Sequence, residues 1–411
     1  MDYINNLQAM TAVDEFASAL VNLSSRDDIR VDDIIPLYEM LKQWIQNYEN
    51  NYDEKYYNHV QILANMTSKD DDIETWLSEM EQLYAVERSE HVAPYYAIAL
   101  CNFTHVKTDD AYVEDSDFNL AINKIKNLMS THGEDGIAEW YCKALCNYLY
   151  FHIDVSVPKG ISIANDLSTA LISYFSNDSL DGLEDLIVAF TDIIKVYCDK
   201  DDLDAVTDFE GIIKELSSAF PQIIQFVECV AFIYMKLANL HSEDNETKAI
   251  DANNEIRKIY NVHSDNELIA IYFADAIAAL STFLSNEELG HELLVLAKIY
   301  KKFSQEFDVA DSYLLSIKNF SAECEPSLIE ALFYKALRVF NTHSEDDEEE
   351  ELLENCVSII DDFLTGTGNT IKAEEMLNSL KEIVDFEKIE SDECKETVTG
   401  LLDTFKKIQN Q

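Results

Sequence analysis

The chain has 411 residues and sets 79 Asp and Glu against 30 Lys and Arg, a formal net charge of −49. It holds only 9 Gly and 5 Pro, roughly a third and a quarter of average usage, too little turn chemistry for a hairpin-rich β fold, so the expectation is all-α. Apolar residues at 47% exclude a disordered acidic chain.

The acids run along the whole length. Their plain reading is a solvated surface suited to a salty cytoplasm; the sharper one is a surface for a basic partner or a nucleic-acid mimic. Direct nucleic-acid binding is not expected, because the best basic cluster is Lys298, Lys301 and Lys302.

The first residues, MDYINNLQAM, carry neither a basic nor an apolar leader region, and no window reaches the ~18 apolar residues of a membrane span. The eight cysteines, Cys101, Cys142, Cys146, Cys198, Cys229, Cys324, Cys356 and Cys394, form no CxxC pair. Together these features predict a reduced, cytoplasmic protein in which N-x-[ST] matches such as Asn102 and Asn245 are incidental. Residues 1–90 show amphipathic helices, with Trp44 and Trp76 as core candidates, and are expected to be atypical or capping. Turn signals stand at Asp32 (just before Pro36), Thr67 to Asp72 and Lys107 to Asp117.

Residues 91–305 repeat. PYYAIALCNF starts at Pro94 and EWYCKALCNY at Glu139, 45 positions later. A small residue recurs as Ala99, Ala144, Ala189, Ala231 and Ala276, in steps of 45, 45, 42 and 45. Large residues flank it at offsets −3, +1 and +4 on one helical face, with Glu228 the departure. Asn102, Asn147 and Asp192 form a polar column three residues past the alanine, and are the candidates for lining a partner groove. Further turns fall at Pro158, Asn177 to Gly182, Asp199 to Asp202 and Pro221.

A histidine followed by a small residue and acids recurs at His132, His241, His263 and His343. Four histidines beside carboxylates could hold metal, but nothing in their spacing makes them converge. The preferred reading is punctuation: histidine in the last turn of one helix, serine capping the next, acids in its first turn. Ser264 with Glu267 fits a capping box.

Residues 306–411 are register-shifted or capping. Ser316 lies 40 past Ala276 and Ala336 only 20 beyond that, so the motif falls on consecutive helices. The acids Glu345, Asp346, Asp347, Glu348, Glu349, Glu350 and Glu351 form a loop and a negative helix start, or a docking patch for a basic segment. In all, about 19 helices of alternating direction predict an α-solenoid of antiparallel pairs.

Motifs for chemistry fail one by one. Gly366 and Gly368 lack the rest of a phosphate loop and are better placed to end a helix. His291-Glu292 opens HELLV, but Val295 stands where the second zinc-binding histidine belongs. Asp115, Asp117 and Asn119 begin a calcium-loop pattern that Leu120 and Lys126 break. Cys142 and Cys146, four apart, with Cys101 one repeat earlier, read as packing rather than soft-metal ligands.

Tyr96, Ala99–Leu100 and Phe103, with Tyr141, Ala144–Leu145 and Tyr148, resemble the first helix of the tetratricopeptide-repeat superfamily. The period is 42–45 rather than 34, the small and large members of the pair are swapped, and the closing proline is missing; HEAT-type repeats are nearer in period but richer in proline. The resemblance implies a right-handed superhelix whose concave face holds a peptide or protein. The expectation is a non-catalytic interaction scaffold, without cofactor, metal or membrane partner. The alternatives are an acidic decoy or chaperone for basic proteins, and an enzyme or metal-binding protein whose site is assembled from distant helices.

Overall fold

The computed structural model describes residues 2–26, 28–47, 54–69, 73–86, 90–108, 114–176, 182–242, 244–322, 324–344 and 349–409; among them are 19 α-helices and no strand. Two units emerge: Met1–Tyr197 with Ser218–Gln222, and Cys198–Ser217 with Ile223–Gln411. The first unit contains α1 (Asp2–Ser24), α2 (Val31–Asn47), α3 (Glu54–Thr67), α4 (Ile73–Val86), α5 (Ala93–Thr108), α6 (Asp115–His132), α7 (Ala138–Phe151), α8 (Val157–Tyr174) and α9 (Glu184–Cys198). The second begins with α10 (Leu203–Ala219), α11 (Ile224–Ser242), α12 (Glu246–Val262), α13 (Glu267–Leu280) and α14 (Asn286–Lys302). It continues with α15 (Phe307–Ser321), α16 (Pro326–Thr342), α17 (Glu349–Thr367), α18 (Thr370–Lys381) and α19 (Asp392–Gln409).

Within each unit antiparallel pairs stack as an α-solenoid. Odd-numbered helices pack on one another, α1 on α3 on α5 on α7 and α11 on α13 on α15 on α17 on α19, and the even-numbered helices pack on the odd ones. The alanine column explains the close approach. Ala99, Ala144, Ala231 and Ala276 are fully buried, and the column continues at a 40-residue period through Ser316 and Cys356, also fully buried. A small side chain at the crossing lets backbones meet while its large neighbours fill the groove. Ala189 is the departure: it is exposed although Leu186, Phe190 and Ile193 keep the pattern. It sits on α9, the last odd helix of its unit, so no later odd helix of that unit covers it.

Basic residues tie even helices together. Lys42 of α2 pairs with Glu79 of α4 at 2.7 Å, and Lys124 of α6 pairs with Glu81 of α4. Lys372 of α18 pairs with Glu330 of α16 at 2.9 Å, and the Arg257 guanidinium of α12 reaches both carboxylate oxygens of Glu292 of α14 at 2.5 and 2.6 Å.

The histidines are punctuation. His132 ends α6, His241 lies in the last turn of α11, and His263 and His343 are the C-caps of α12 and α16. The cap series includes Phe303, the cap of α14 and the midpoint of the 80 residues between those two. All three caps have φ between −116° and −112°.

Two local expectations are corrected. Ser264 is not the cap of α13; Asn266 is, its side chain accepting from Ile269 N–H. The chain needs a turn after His263, whose carbonyl accepts the Asn266 N–H at 2.9 Å, before a helix can start. Asn245 caps α12 in the same way. Asp32 does not mark a turn before Pro36: α2 begins at Val31 and contains that proline. Pro36 is the sixth residue of α2, so no N–H from that position reaches the Asp32 carbonyl and the helix gives up one bond there. Pro158 and Pro326 occupy first-turn positions of α8 and α16, and Gly368, at φ 63°, closes α17.

Candidate functional site

The polar column three residues past each alanine is built on α5, α7 and α9. Asn102 is half-buried; its Nδ2 donates to Thr67 Oγ1 at 3.0 Å and to the Ala64 carbonyl at 3.3 Å, both on α3. One repeat later Asn147 Nδ2 donates to Thr104 Oγ1 at 3.0 Å and to the Cys101 carbonyl at 3.4 Å on α5. Asp192 is exposed and pairs with Lys195 on its own helix at 3.2 Å.

The two asparagines belong to a longer ladder. Asn65 of α3 donates to Ser24 of α1 at 2.9 Å, and Asn319 of α15 to Ser281 of α13 at 2.7 Å. Each accepting hydroxyl turns its own proton to the carbonyl three residues before it, at Val21, Ala64, Cys101 and Ala278. Both capacities of the hydroxyl are therefore used at a buried helix end. Asn65–Thr67, Asn102–Thr104 and Asn319–Ser321 each supply a donor to the previous odd helix and a hydroxyl two residues on. At Leu149 the hydroxyl is absent, and the Tyr197 hydroxyl donates to the Leu149 carbonyl at 3.0 Å instead. The N-x-[ST] matches at Asn65, Asn102 and Asn319 thus lie on the ladder, whereas the match at Asn245 caps α12.

Other residues share this face of the first unit. Lys143 lies over the half-buried Trp140 ring at 4.4 Å and pairs with Glu139 at 2.6 Å. Ile98 is half-buried and Val188 exposed, each one residue before its alanine. Together they make a mixed surface of aromatic, aliphatic and charged side chains, held in register by the hydrogen bonds beneath it.

The acidic run belongs to the second unit. Glu345, Asp346, Asp347 and Glu348 lie outside the described residues. Glu349, Glu350 and Glu351 form the first turn of α17, where negative charge suits the helix end. Glu350 accepts the backbone N–H groups of Glu390 and Ser391, each at 2.6 Å, and so anchors the entry to α19.

One buried polar cluster stands apart from both. The Tyr38 hydroxyl of α2 hydrogen-bonds to His59 Nε2 of α3 and donates to Glu79 of α4 at 3.0 Å. Beside it an open cavity of about 660 Å³ is lined by Lys42, Glu74, Thr75, Ser78, Glu79 and Gln82. Burial pushes the Tyr38 hydroxyl far up and the His59 imidazole down to about 4, Lys42 assisting the latter. At neutral pH the pair is uncharged and structural.

The thiols are held in the same inert state. Burial pushes Cys101, Cys146, Cys198 and Cys394 up to about 12, and Cys142 and Cys356 higher still. Among the described residues no group of three or more His, Cys, Asp or Glu side chains is placed to hold a metal ion, and no helix is long and apolar enough to cross a membrane.

No protein-family model matches the chain, and no curated protein matches it. Among solved structures, one described as a circular tandem repeat protein with novel repeat topology and enhanced subunit contact surfaces is 13% identical, covering 98% of both chains, with a TM-score of 0.21. A likeness of that size carries no argument, and the helical-repeat architecture stands on the helices themselves.

Proposed function

We propose that the chain is a non-catalytic scaffold, a divergent tetratricopeptide-like repeat, that binds a protein or peptide across α5, α7 and α9 of its first unit. The supporting observation is the column of Asn102, Asn147 and Asp192. Successive helices are locked in register through the asparagines, so the side chains beside them form a surface ordered before any partner arrives, and pre-ordering lowers the cost of binding. The partner is basic. The surrounding chain carries −49, which steers cationic partners and repels acidic ones. The buried thiols fit a reduced, cytoplasmic setting.

The test is crosslinking of the natural partner followed by quantitative capture with Asp192→Lys, Trp140→Ala and Val188→Lys. These positions flank the ladder without carrying it. Crosslinks on α5, α7 and α9, and capture weakened at least tenfold by the variants, support the proposal. Undiminished capture by variants with unchanged unfolding would reject this face. The decoy reading is separated by salt. Binding that vanishes for every basic protein between 0.05 and 0.2 M salt is charge alone, since exposed charges are screened within about 8–10 Å near 0.15 M.

A further inference from the structure

Half-buried carboxylates gather on the odd helices of the second unit. Asp275 of α13 is half-buried and accepts from Asn239 of α11 at 3.2 Å. Asp311 of α15 is half-buried and accepts from Asn355 of α17, itself 7% exposed, at 3.2 Å. Asp308 in the first turn of α15 and Glu351 in the first turn of α17 bring two more charges to bear on Asp311. The cation acting on it is Lys318 of its own helix. Elsewhere on α15, Tyr313 lies against the tilted Tyr300 ring of α14 at 5.7 Å, and Lys335 of α16 lies over the Tyr313 ring at 5.0 Å. Glu306, the N-cap of α15, adds to the excess of acid.

Three carboxylates therefore press on a fourth, and its hydrogen-bond donor from α17 is a neutral amide. We propose that the α13–α15–α17 stack is a proton-responsive seam, looser while Asp311 is charged and tighter once Asp311 takes up a proton. Protonation removes the repulsion from Asp275, Asp308 and Glu351 and the cost of holding a charge at a buried contact. It leaves the Asn355 bond in place. Because each helix pair of a solenoid touches only its neighbours, the change stays local to these helices.

Burial, followed by Glu351, Asp275 and Asp308, pushes the Asp311 carboxyl up to about 6 from its usual 3.8. For an acid raised on folding, stability grows as pH falls through the folded value and levels off below the unfolded one. The seam is accordingly weakest at neutral pH and strengthens between about pH 7 and 4.

The experiment is amide hydrogen exchange on the full chain at pH 7.5 and pH 5, corrected for intrinsic exchange. From the two values above, protection of α15 and α17 rises about tenfold at pH 5. Asp311→Asn removes most of the rise in α15 and is already protected at pH 7.5; Asp275, Glu306, Glu354 and Asp362, also raised by burial, supply the remainder. Should that variant not fold, Asp308→Asn serves, and the midpoint of the rise moves to lower pH. Protection in α15 and α17 that is flat or falling with acid overturns the seam, as does a full rise in Asp311→Asn or an unmoved midpoint in Asp308→Asn.

Discussion

Asn102 Nδ2 lies 3.0 Å from Thr67 Oγ1 and 3.3 Å from the Ala64 carbonyl, so a side-chain amide spans α5 and α3. Thr67 is fully buried and passes its own proton to the Ala64 carbonyl at 2.6 Å. Thr67→Val keeps the shape and removes the acceptor, and is expected to cost about 1 kcal/mol. A double-mutant cycle with Asn102→Ala should show a coupling of at least about 0.5 kcal/mol. Trp44, Trp76 and Trp140 all lie in the first unit and are all the tryptophans there are. Tryptophan fluorescence in denaturant therefore reads that unit alone, and strict additivity would show that the ladder contributes geometry but no stability.

Gly160 of α8 lies against Tyr197. A Cβ at that position would sit 2.3 Å from the Tyr197 hydroxyl and 2.6 Å from Cζ. Tyr197 is fully buried and bonded to Leu149, so it has nowhere to move. Helix propensity alone predicts that Gly160→Ala stabilises by about 1 kcal/mol. The packing predicts a net loss of roughly 1–3 kcal/mol. The sign of the shift, by the same fluorescence, decides between them.

His59 gives the first unit a pH dependence opposite to that of the Asp311 seam. Its imidazole is driven down to about 4, chiefly by burial, so the folded state favours the neutral ring. Stability is complete above the unfolded value of about 6.5 and drains away as pH falls towards 4, to a limit of about 3 kcal/mol. Denaturant midpoints at pH 7.5 and 4.5 should differ in wild type and much less in His59→Gln. An equal difference in the variant would assign the acid sensitivity elsewhere.

One Arg257 nitrogen, Nη2, bridges both Glu292 carboxylate oxygens, and the guanidinium also lies 5.2 Å from the Phe273 ring centre. Arg257→Lys keeps the charge but loses the planar guanidinium over Phe273 and with it the fixed placement of the bridging nitrogen. It is expected to lower the stability of the second unit by roughly 1 kcal/mol. Faster exchange at the α12 and α14 amides is the readout, and unchanged exchange would leave the pair without an energetic role.

Thiol labelling should follow burial. Cys324 is the half-exposed cysteine and the other seven are buried. A disulfide reagent at neutral pH is expected to modify Cys324 first and the rest only on unfolding. Early modification of Cys142 or Cys356 would contradict their packed position.

The polar column of Asn102, Asn147 and Asp192 has two characters in the structure. The asparagines turn towards the preceding helix, and the aspartate is in solvent. Spacing places all three on one helical face and is blind to what lies opposite. The same blindness hides the ladder at Asn65, Asn102 and Asn319, because the accepting hydroxyl lies 35 to 41 residues earlier. It also assigned the α13 cap to Ser264, since serine and asparagine are both good caps and only the turn after His263 selects between them.

The sequence alone determined that this chain is a repeat of helix pairs. Helicity follows from local causes: few glycines and prolines, apolar residues three and four apart, and a small residue returning at each crossing. Tertiary structure alone decided which polar groups satisfy one another across the stack, which alanine is left uncovered on α9, and where carboxylates crowd around Asp311. Those depend on atoms brought together from distant stretches of chain, and residue spacing within one helix carries no information about its neighbour's rotation.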